Sequence, residues 1–508
     1  MGKKLGRTKK EARKEKMNGK YEFGMDRYHG VMGEFFIGEF ATVPNGSNLG
    51  NKEAVFYIAQ RKVPYAPVLG HSTLAQTLIE TQIDAPHARH LREDRADLTQ
   101  LAERLQEEGG FLGKIRLVQE GTIIFSREPF GDISGPLWNI QLHEVKFEHA
   151  FDLPATVGYR AMRMRQAAGP NSFLSVFSLR RDGDPLRSIR VSKIAYICGF
   201  DDTSDMEAAF QLGIPDVGTM AHYLVESFIG YNSQPEIDEK TGQPKHFERV
   251  AFERWLDGNP KGTVLLIDTI DYRMGIVHAI QAALSSPERK RAFKGIRIDS
   301  GDLIEASQYC RRLLDANGLK DVGIVLTGDL DEKIERIRKA LIFPIKGYGI
   351  GTKLAAEVDF VAGVIFKMSQ IDGVPVLKCS GAPGKETLPG QFQIWRCVDG
   401  DGNYVKDIIS LIDESEPEGE DFVSAIPLLE PFWGGGIPLY QNKSPEKLRE
   451  FVKQQLKRFK GPLERYPVII SPKLLALKQE ITESIKDQNV YGEVKMPDGA
   501  EKDKNFRR

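Results

Sequence analysis

Residues 295 to 303 read GIRIDSGDL, and the fold is decided here. An apolar run of strand length sets Arg297 and Asp299 two positions apart, on one side of an extended segment, before Ser300 and Gly301 turn the chain sharply. Further on, GIVLTGDLDEKI ends its apolar run at Gly328 and Asp329, and KGYGIGTKL ends at Gly349, Gly351 and Thr352. Three consecutive units close alike.

Outward from these, IAYICGF (194–200), IPDVGTM (214–220) and VLLIDTI (264–270) are further apolar runs, each followed by a helix-period segment. Short strands alternating with helices predict successive βα units on a parallel sheet. The fold class expected is therefore α/β: an irregular βα barrel over 156–361. Asp201, Thr219, Asp268, Asp299, Asp329 and Thr352 each stand where a strand is expected to end. In βα barrels that edge carries the active site, although turn-making and helix capping account for any one such residue.

The flanks read differently. KIRLVQEGTIIFS (114–126), GVIFKMS (363–369), GVPVLKCS (373–380) and QFQIWRCV (391–398) are strand-like and separated by turn residues. They predict a split α+β domain made of 24–155 and 362–470, with 471–508 as a C-terminal extension. Residues 1–23 form a basic tail; its first twenty residues hold nine Lys or Arg against two Glu, a solvated composition for which disorder is expected.

Hydrophobic residues make up 41% and charged residues 28%, with a formal net charge of −1, so no global field points to nucleic acid or to an anionic membrane. No signal-peptide core and no apolar run of about eighteen residues is present, which predicts a cytoplasmic protein. Gly6 breaks the myristoylation pattern that Met1-Gly2 begins. Cys198, Cys310, Cys379 and Cys397 are too scattered for a zinc knuckle or a disulfide framework and read as reduced core thiols.

A sugar pyrophosphate needs backbone N–H groups around its phosphates, basic side chains to neutralise them, and carboxylates for ribose hydroxyls and Mg²⁺. Arg297, Asp299, Asp329 and the glycines of GYGIGT offer all three at adjacent strand ends. GAPGKET (381–387) only imitates a phosphate-binding loop, having two residues between its glycines and Glu386 after the Lys. His87 and His90 of HARH lack a third ligand, and no metal-ligand set is assigned.

Taken together, GIRIDSGDL, TGDLDEKI, YGIGTKL, GTMAH (218–222) and LLIDTID (265–271) resemble nicotinate phosphoribosyltransferases, from about Asp26 to Arg396. EGTIIF (120–125), FSLRR (177–181), GFDDTSD (199–205) and KETLPGQ (385–391) are similar to further segments of that family. The resemblance implies a type II phosphoribosyltransferase, a homodimer whose active sites are completed by the partner subunit. It implies formation of nicotinate mononucleotide and pyrophosphate from nicotinate and phosphoribosyl pyrophosphate, with Mg²⁺ as cofactor and ATP as co-substrate. On it, His222 is transiently phosphorylated, and Arg297, Asp299, Gly328, Asp329, Gly349 and Gly351 handle the phosphoribosyl group, with Thr219, Asp268 and Thr352 beside them. Phe177 stacks on the pyridine ring, Tyr28 of DRYHGVM reaches over from the partner subunit, and Arg180 holds the ring's substituent.

Two positions depart from the family pattern. Asp205 stands where the nicotinate enzymes carry Asn and the related nicotinamide phosphoribosyltransferases carry Asp, and Tyr223 replaces the Ser that commonly follows the family His. A carboxylate accepts from a neutral carboxamide but repels a substrate carboxylate, so Asp205 motivates a nicotinamide alternative. A non-catalytic nucleotide-binding sensor is the alternative of a different class.

Overall fold

The computed structural model describes residues 25–44, 46–81, 85–93, 96–230, 235–356, 361–380 and 385–486. The basic tail at 1–23, residues 487–508, positions 381–384 of GAPGKET and the side chain of His87 lie outside the described residues.

The centre is a six-stranded parallel sheet. Its strands are β1 (Phe173–Val176), β2 (Asp202–Thr203), β3 (Thr263–Leu266), β4 (Phe293–Ile298), β5 (Gly323–Leu326) and β6 (Gly347–Ile350). They lie in the order β2-β1-β6-β5-β4-β3, every pair parallel. Among the described residues β2 and β3 do not pair with each other, so the sheet is a curled half-barrel. Apolar residues such as Leu265, Ile296, Ile298, Ile324, Leu326 and Ile350 are buried in its core. β3 to β5 each run into a helix, and Asp302 shows how a turn becomes one: its carboxylate accepts the Ile304 and Glu305 amides at 2.9 and 3.1 Å and caps helix Leu303–Ala316.

Two expected strands are corrected. Most of IAYICGF belongs to helix Pro185–Ile197, whose buried positions include Val191, Ile194, Ala195 and Ile197. That spacing is helical, and Asp184 caps a start that already has Pro at its first position. IPDVGTM contributes only an isolated bridge between Thr203 and Asp216. The first strand of the sheet is instead FLSV at 173–176, just ahead of the FSLRR motif. Asp201 consequently precedes a strand rather than ending one; Arg165 and Arg449 clasp its carboxylate at 2.9 Å each, which ties helix Pro445–Arg458 to the sheet.

The two flanks meet in a seven-stranded antiparallel sheet. Glu53–Gln60 pairs with Val364–Ile371 on one side and with Pro129–Pro136 on the other. A four-stranded sheet continues the C-terminal flank, with Phe392–Val398 and Tyr404–Leu411 at its centre. Cys198, Cys310 and Cys397 are buried, Cys379 is half-buried, and all four are unpaired. Among the described residues no helix is long and apolar enough to cross a membrane.

A charged cluster is buried where these layers join. Arg396 donates from Nε and Nη2 to the two oxygens of Asp407 at 3.0 and 2.6 Å, and Tyr466 adds a hydroxyl at 3.0 Å. Glu128 completes the cluster, and burial, followed by repulsion from Asp407, pushes its carboxyl well above the usual range. The folded state thus binds this proton more tightly than the unfolded chain does. Its contribution is full below the ordinary carboxylate range and is lost as pH rises through the folded value. Glu128→Gln is therefore expected to raise the melting temperature at pH 8 more than at pH 5; an equal change at both would contradict a protonated Glu128.

Candidate active site

Arg297, near the end of β4, is the hub of the polar residues at the sheet's C-terminal edge. Its Nε donates to Thr327 Oγ1 at 3.0 Å, Nη1 to Thr219 Oγ1 at 2.9 Å and to the Met220 carbonyl at 3.4 Å, and Nη2 to Asp299 Oδ1 at 3.2 Å. These bonds use most of a guanidinium's five N–H donors. The side chain is thereby locked, and Nη2 keeps spare capacity for an incoming anion.

Asp299 follows β4 directly. Its amide donates to Asp268 Oδ2 at 2.9 Å, where the Ser300 hydroxyl also donates, at 2.6 Å. Its Oδ1 accepts from Thr327 as well as from Arg297. Burial works to raise the Asp299 carboxyl, but the Thr327 hydroxyl, Arg297 and His222 outweigh it and hold it below the ordinary value. The group is an anion throughout the neutral range. Asp268 Oδ1, in contrast, is buried without a hydrogen-bond partner.

His222 opens helix His222–Ile229 and faces the same group. Its Nδ1 lies 3.1 Å from Thr269 Oγ1, and its Nε2 lies 3.8 Å from Asp299 Oδ2. An imidazole held at one nitrogen by a hydroxyl presents the other toward the carboxylate, at the positive end of a helix.

The glycines bring backbone close to this group. Gly328 has φ +93°, and a Cβ there would stand 2.1 Å from the Asp299 carbonyl oxygen. Gly328→Ala should displace Asp299 and lower turnover on the order of tenfold or more, while a melting curve shows the fold retained; an unchanged initial rate would dissociate this turn from the chemistry. Gly349 serves a different contact, since a Cβ on it would fall 2.5 Å from the Phe177 ring and 2.7 Å from Thr327 Cγ2. The absent side chain leaves room for the aromatic ring and the Thr327 methyl on the same backbone position.

Similarity to known proteins bears on this edge. No family profile matches the chain. A nicotinate phosphoribosyltransferase of Mycobacterium tuberculosis is 30% identical over 438 residues, covering 83% of this chain and 87% of the relative. The chain belongs to the nicotinate phosphoribosyltransferase family. The enzyme of that name from Bacillus subtilis is 28% identical over 476 residues, covering 86% of this chain and 92% of its own length. The crystal structure of human nicotinic acid phosphoribosyltransferase shares the fold, with a TM-score of 0.72 over 90% of this chain and 99% of that one, at 23% identity.

Within this nicotinate phosphoribosyltransferase fold, the expected residues take distinct places. Arg297, Asp299, Asp268 and Thr219 form one hydrogen-bonded cluster, which His222 adjoins at 3.8 Å from Asp299, with Gly328, Gly349 and Phe177 packed around it. Asp329 is exposed at the turn beyond β5, and its φ of +44° makes it one of three non-glycine residues with positive φ among those described. Gly351 precedes the short helix Thr352–Ala355, which Thr352 opens. Arg180 is exposed in the turn Leu179–Arg181, just beyond Phe177.

Two residues stand apart from the cluster. Asp205 is buried as the N-cap of helix Met206–Leu212: Oδ1 accepts the Glu207 and Ala208 amides, both at 3.1 Å, and Oδ2 accepts the Ser188 hydroxyl at 2.6 Å. Both oxygens are occupied within the fold. Tyr28 lies on helix Arg27–Ile37, where its hydroxyl donates to Glu144 at 3.0 Å. Thr327, Thr269 and Ser300 were not among the residues singled out from the sequence, yet Thr327 bonds both Arg297 and Asp299. The available signal was the Thr of TGD, which sits where strand and turn meet.

Proposed function

We propose that the chain transfers the phosphoribosyl group of phosphoribosyl pyrophosphate to nicotinate, forming nicotinate mononucleotide and pyrophosphate in the salvage route to NAD. The observation that carries the reading is the Arg297–Thr327–Asp299–His222 cluster at the edge of the parallel sheet. In the reaction the pyridine nitrogen bonds to C1 of the ribose as the C1–oxygen bond to pyrophosphate breaks, and the electron pair leaves with pyrophosphate. The ribose becomes cationic on the way, and the Asp299 carboxylate stands ready to stabilise that charge. Arg297 Nη2 and the backbone around Gly328 and Gly349 receive phosphate oxygens.

The donor set fits Mg²⁺, because the partnerless Asp268 Oδ1 and the carboxylate of Asp299, whose amide bonds Asp268, are hard oxygen ligands, and the exposed Asp329 follows Gly328 in the next turn. When bound, the ion neutralises the departing pyrophosphate. Phe177 supplies a face for the pyridine ring, and the exposed Arg180 is the partner for its carboxylate. The occupied oxygens of Asp205 favour nicotinate over nicotinamide, since the carboxylate that motivated the amide alternative is committed to capping a helix.

On this reading ATP phosphorylates His222, and the phosphate sits at a helix N-terminus. Tyr28, Val31, Met32 and Phe35 form an exposed stripe at helical spacing on Arg27–Ile37, which suits a homodimer in which Tyr28 reaches the partner subunit's base. Two experiments test the scheme. An equimolar mixture of nicotinate and nicotinamide should give predominantly the nicotinate product; predominance of the amide product would return Asp205 to the site. Label from γ-labelled ATP should appear in acid-labile form on the wild-type chain and vanish in His222→Ala, and retained label would remove His222 from that role.

A further inference from the structure

A second cluster lies on the helices that follow the active-site segments. His246 caps helix Phe247–Gly258, Glu248 is in its first turn, and His278 is on the neighbouring helix Tyr272–Leu284. One ligand atom from each of the three lies within 4.8 Å of the other two. Glu248 is fully buried, and its Oε1 has no hydrogen-bond partner. Its Oε2 meets His278 Nδ1 at 2.7 Å.

The surrounding cations do not balance this carboxylate. Lys245 pairs with Glu253 at 2.8 Å and Glu236 at 3.6 Å, Arg249 pairs with Glu253 and Asp238, and Arg289 pairs with Glu253 at 3.2 Å and Asp257 at 2.7 Å. A buried carboxylate oxygen left without a partner is costly, and two imidazoles facing it are borderline-soft donors.

We propose that His246, Glu248 and His278 bind a divalent transition metal ion, with zinc as the best match to two imidazoles and one carboxylate. Three protein ligands leave a fourth position for water. Magnesium is the wrong ion here, because it prefers an all-oxygen shell. In the structure the His246 and His278 rings stack with centroids 4.3 Å apart and planes at 13°, and His246 Nδ1 accepts the Glu248 amide at 3.3 Å. Binding turns the half-exposed His246 ring out of the stack and gives up that long hydrogen bond. The ion replaces the proton between His278 and Glu248 and joins the two helices. The second helix is capped by Asp271, two residues after Thr269, so the metal braces the segment whose Asp268 and Thr269 hold Asp299 and His222.

The test uses the full chain stripped with a chelator and titrated with Zn²⁺ against a chromophoric competitor, in excess Mg²⁺. One tight zinc per chain is expected for the wild type and for His222→Ala. His246→Ala and His278→Ala should each weaken it by roughly 100-fold or more. His246 is half-exposed, so its variant should fold, and a zinc-induced rise in melting temperature should occur in the wild type and disappear in His246→Ala. Equal zinc affinity in wild type and His246→Ala, or no tight zinc in the wild type, would overturn the proposal and leave Glu248 with its hydrogen bond to His278 alone. Loss of zinc in His222→Ala alone would place the ion at the active site and would also overturn it.

Discussion

Asp299→Asn is expected to lower kcat/KM for mononucleotide formation by roughly 10²–10³-fold, the usual range when a group that stabilises transition-state charge is removed. The change keeps the shape of the side chain and removes its charge. The Asp299 amide bond to Asp268 is untouched, and an Asn oxygen can still accept from Thr327 or Arg297. Little stability should be lost, so a melting curve within a few degrees of wild type accompanies the kinetic loss. If Asp299 only ordered Arg297, Asn would serve nearly as well. Rates within a few-fold of wild type would therefore reassign Asp299 from the chemistry to positioning.

The second large effect is on stability. Asp407→Ala should cost about 3–5 kcal/mol, the range for breaking a buried ion pair by removing one partner. Arg396 and Asp407 are 2% and 0% exposed, so neither can recover solvation without local opening. Removing the carboxylate leaves the Arg396 charge beside Glu128, and the Glu128 carboxyl should then ionise more readily as a substitute partner. Part of the loss should be recovered at higher pH for this reason. Denaturant unfolding of both chains at pH 6 and pH 8 measures it; a loss below about 1 kcal/mol, the worth of an exposed pair, would show that the cluster is hydrated.

Both expectations depend on features of different legibility. The strand-end pattern of GIRIDSGDL, GIVLTGD and IKGYGIG could be read because an apolar run closing on Gly and Asp is a local property, and β4 to β6 lie there. IAYICGF could not be told from a strand by hydrophobicity alone. Its helical spacing emerges only when the run is extended back to Val191 and the cap at Asp184. FLSV is only four residues long, too short to carry a periodic signal of its own. Asp201 shows the same limit, since its partners Arg165 and Arg449 are distant in the chain.

In the site, the charged and glycine positions and the Thr219 hydroxyl could be picked out from the sequence, whereas the hydroxyls of Thr327, Thr269 and Ser300 could not. Thr327 and Thr269 look like ordinary strand-end threonines until the fold sets them against Arg297 and His222. Asp205 shows the same point from the other side: a departure from a family pattern suggests a ligand contact, and the fold engages the carboxylate as a helix cap with a second partner at Ser188. A side chain's free capacity is a three-dimensional quantity. Residue identity does not carry it.

The most direct measurement is product identification with the purified chain, Mg²⁺, phosphoribosyl pyrophosphate and nicotinate, with and without ATP, the mononucleotides being resolved chromatographically. Nicotinate mononucleotide is expected, formed faster with ATP and accompanied by an equal amount of pyrophosphate. Absence of nicotinate mononucleotide from a folded chain that still binds phosphoribosyl pyrophosphate would contradict this and indicate a nucleotide-binding sensor instead.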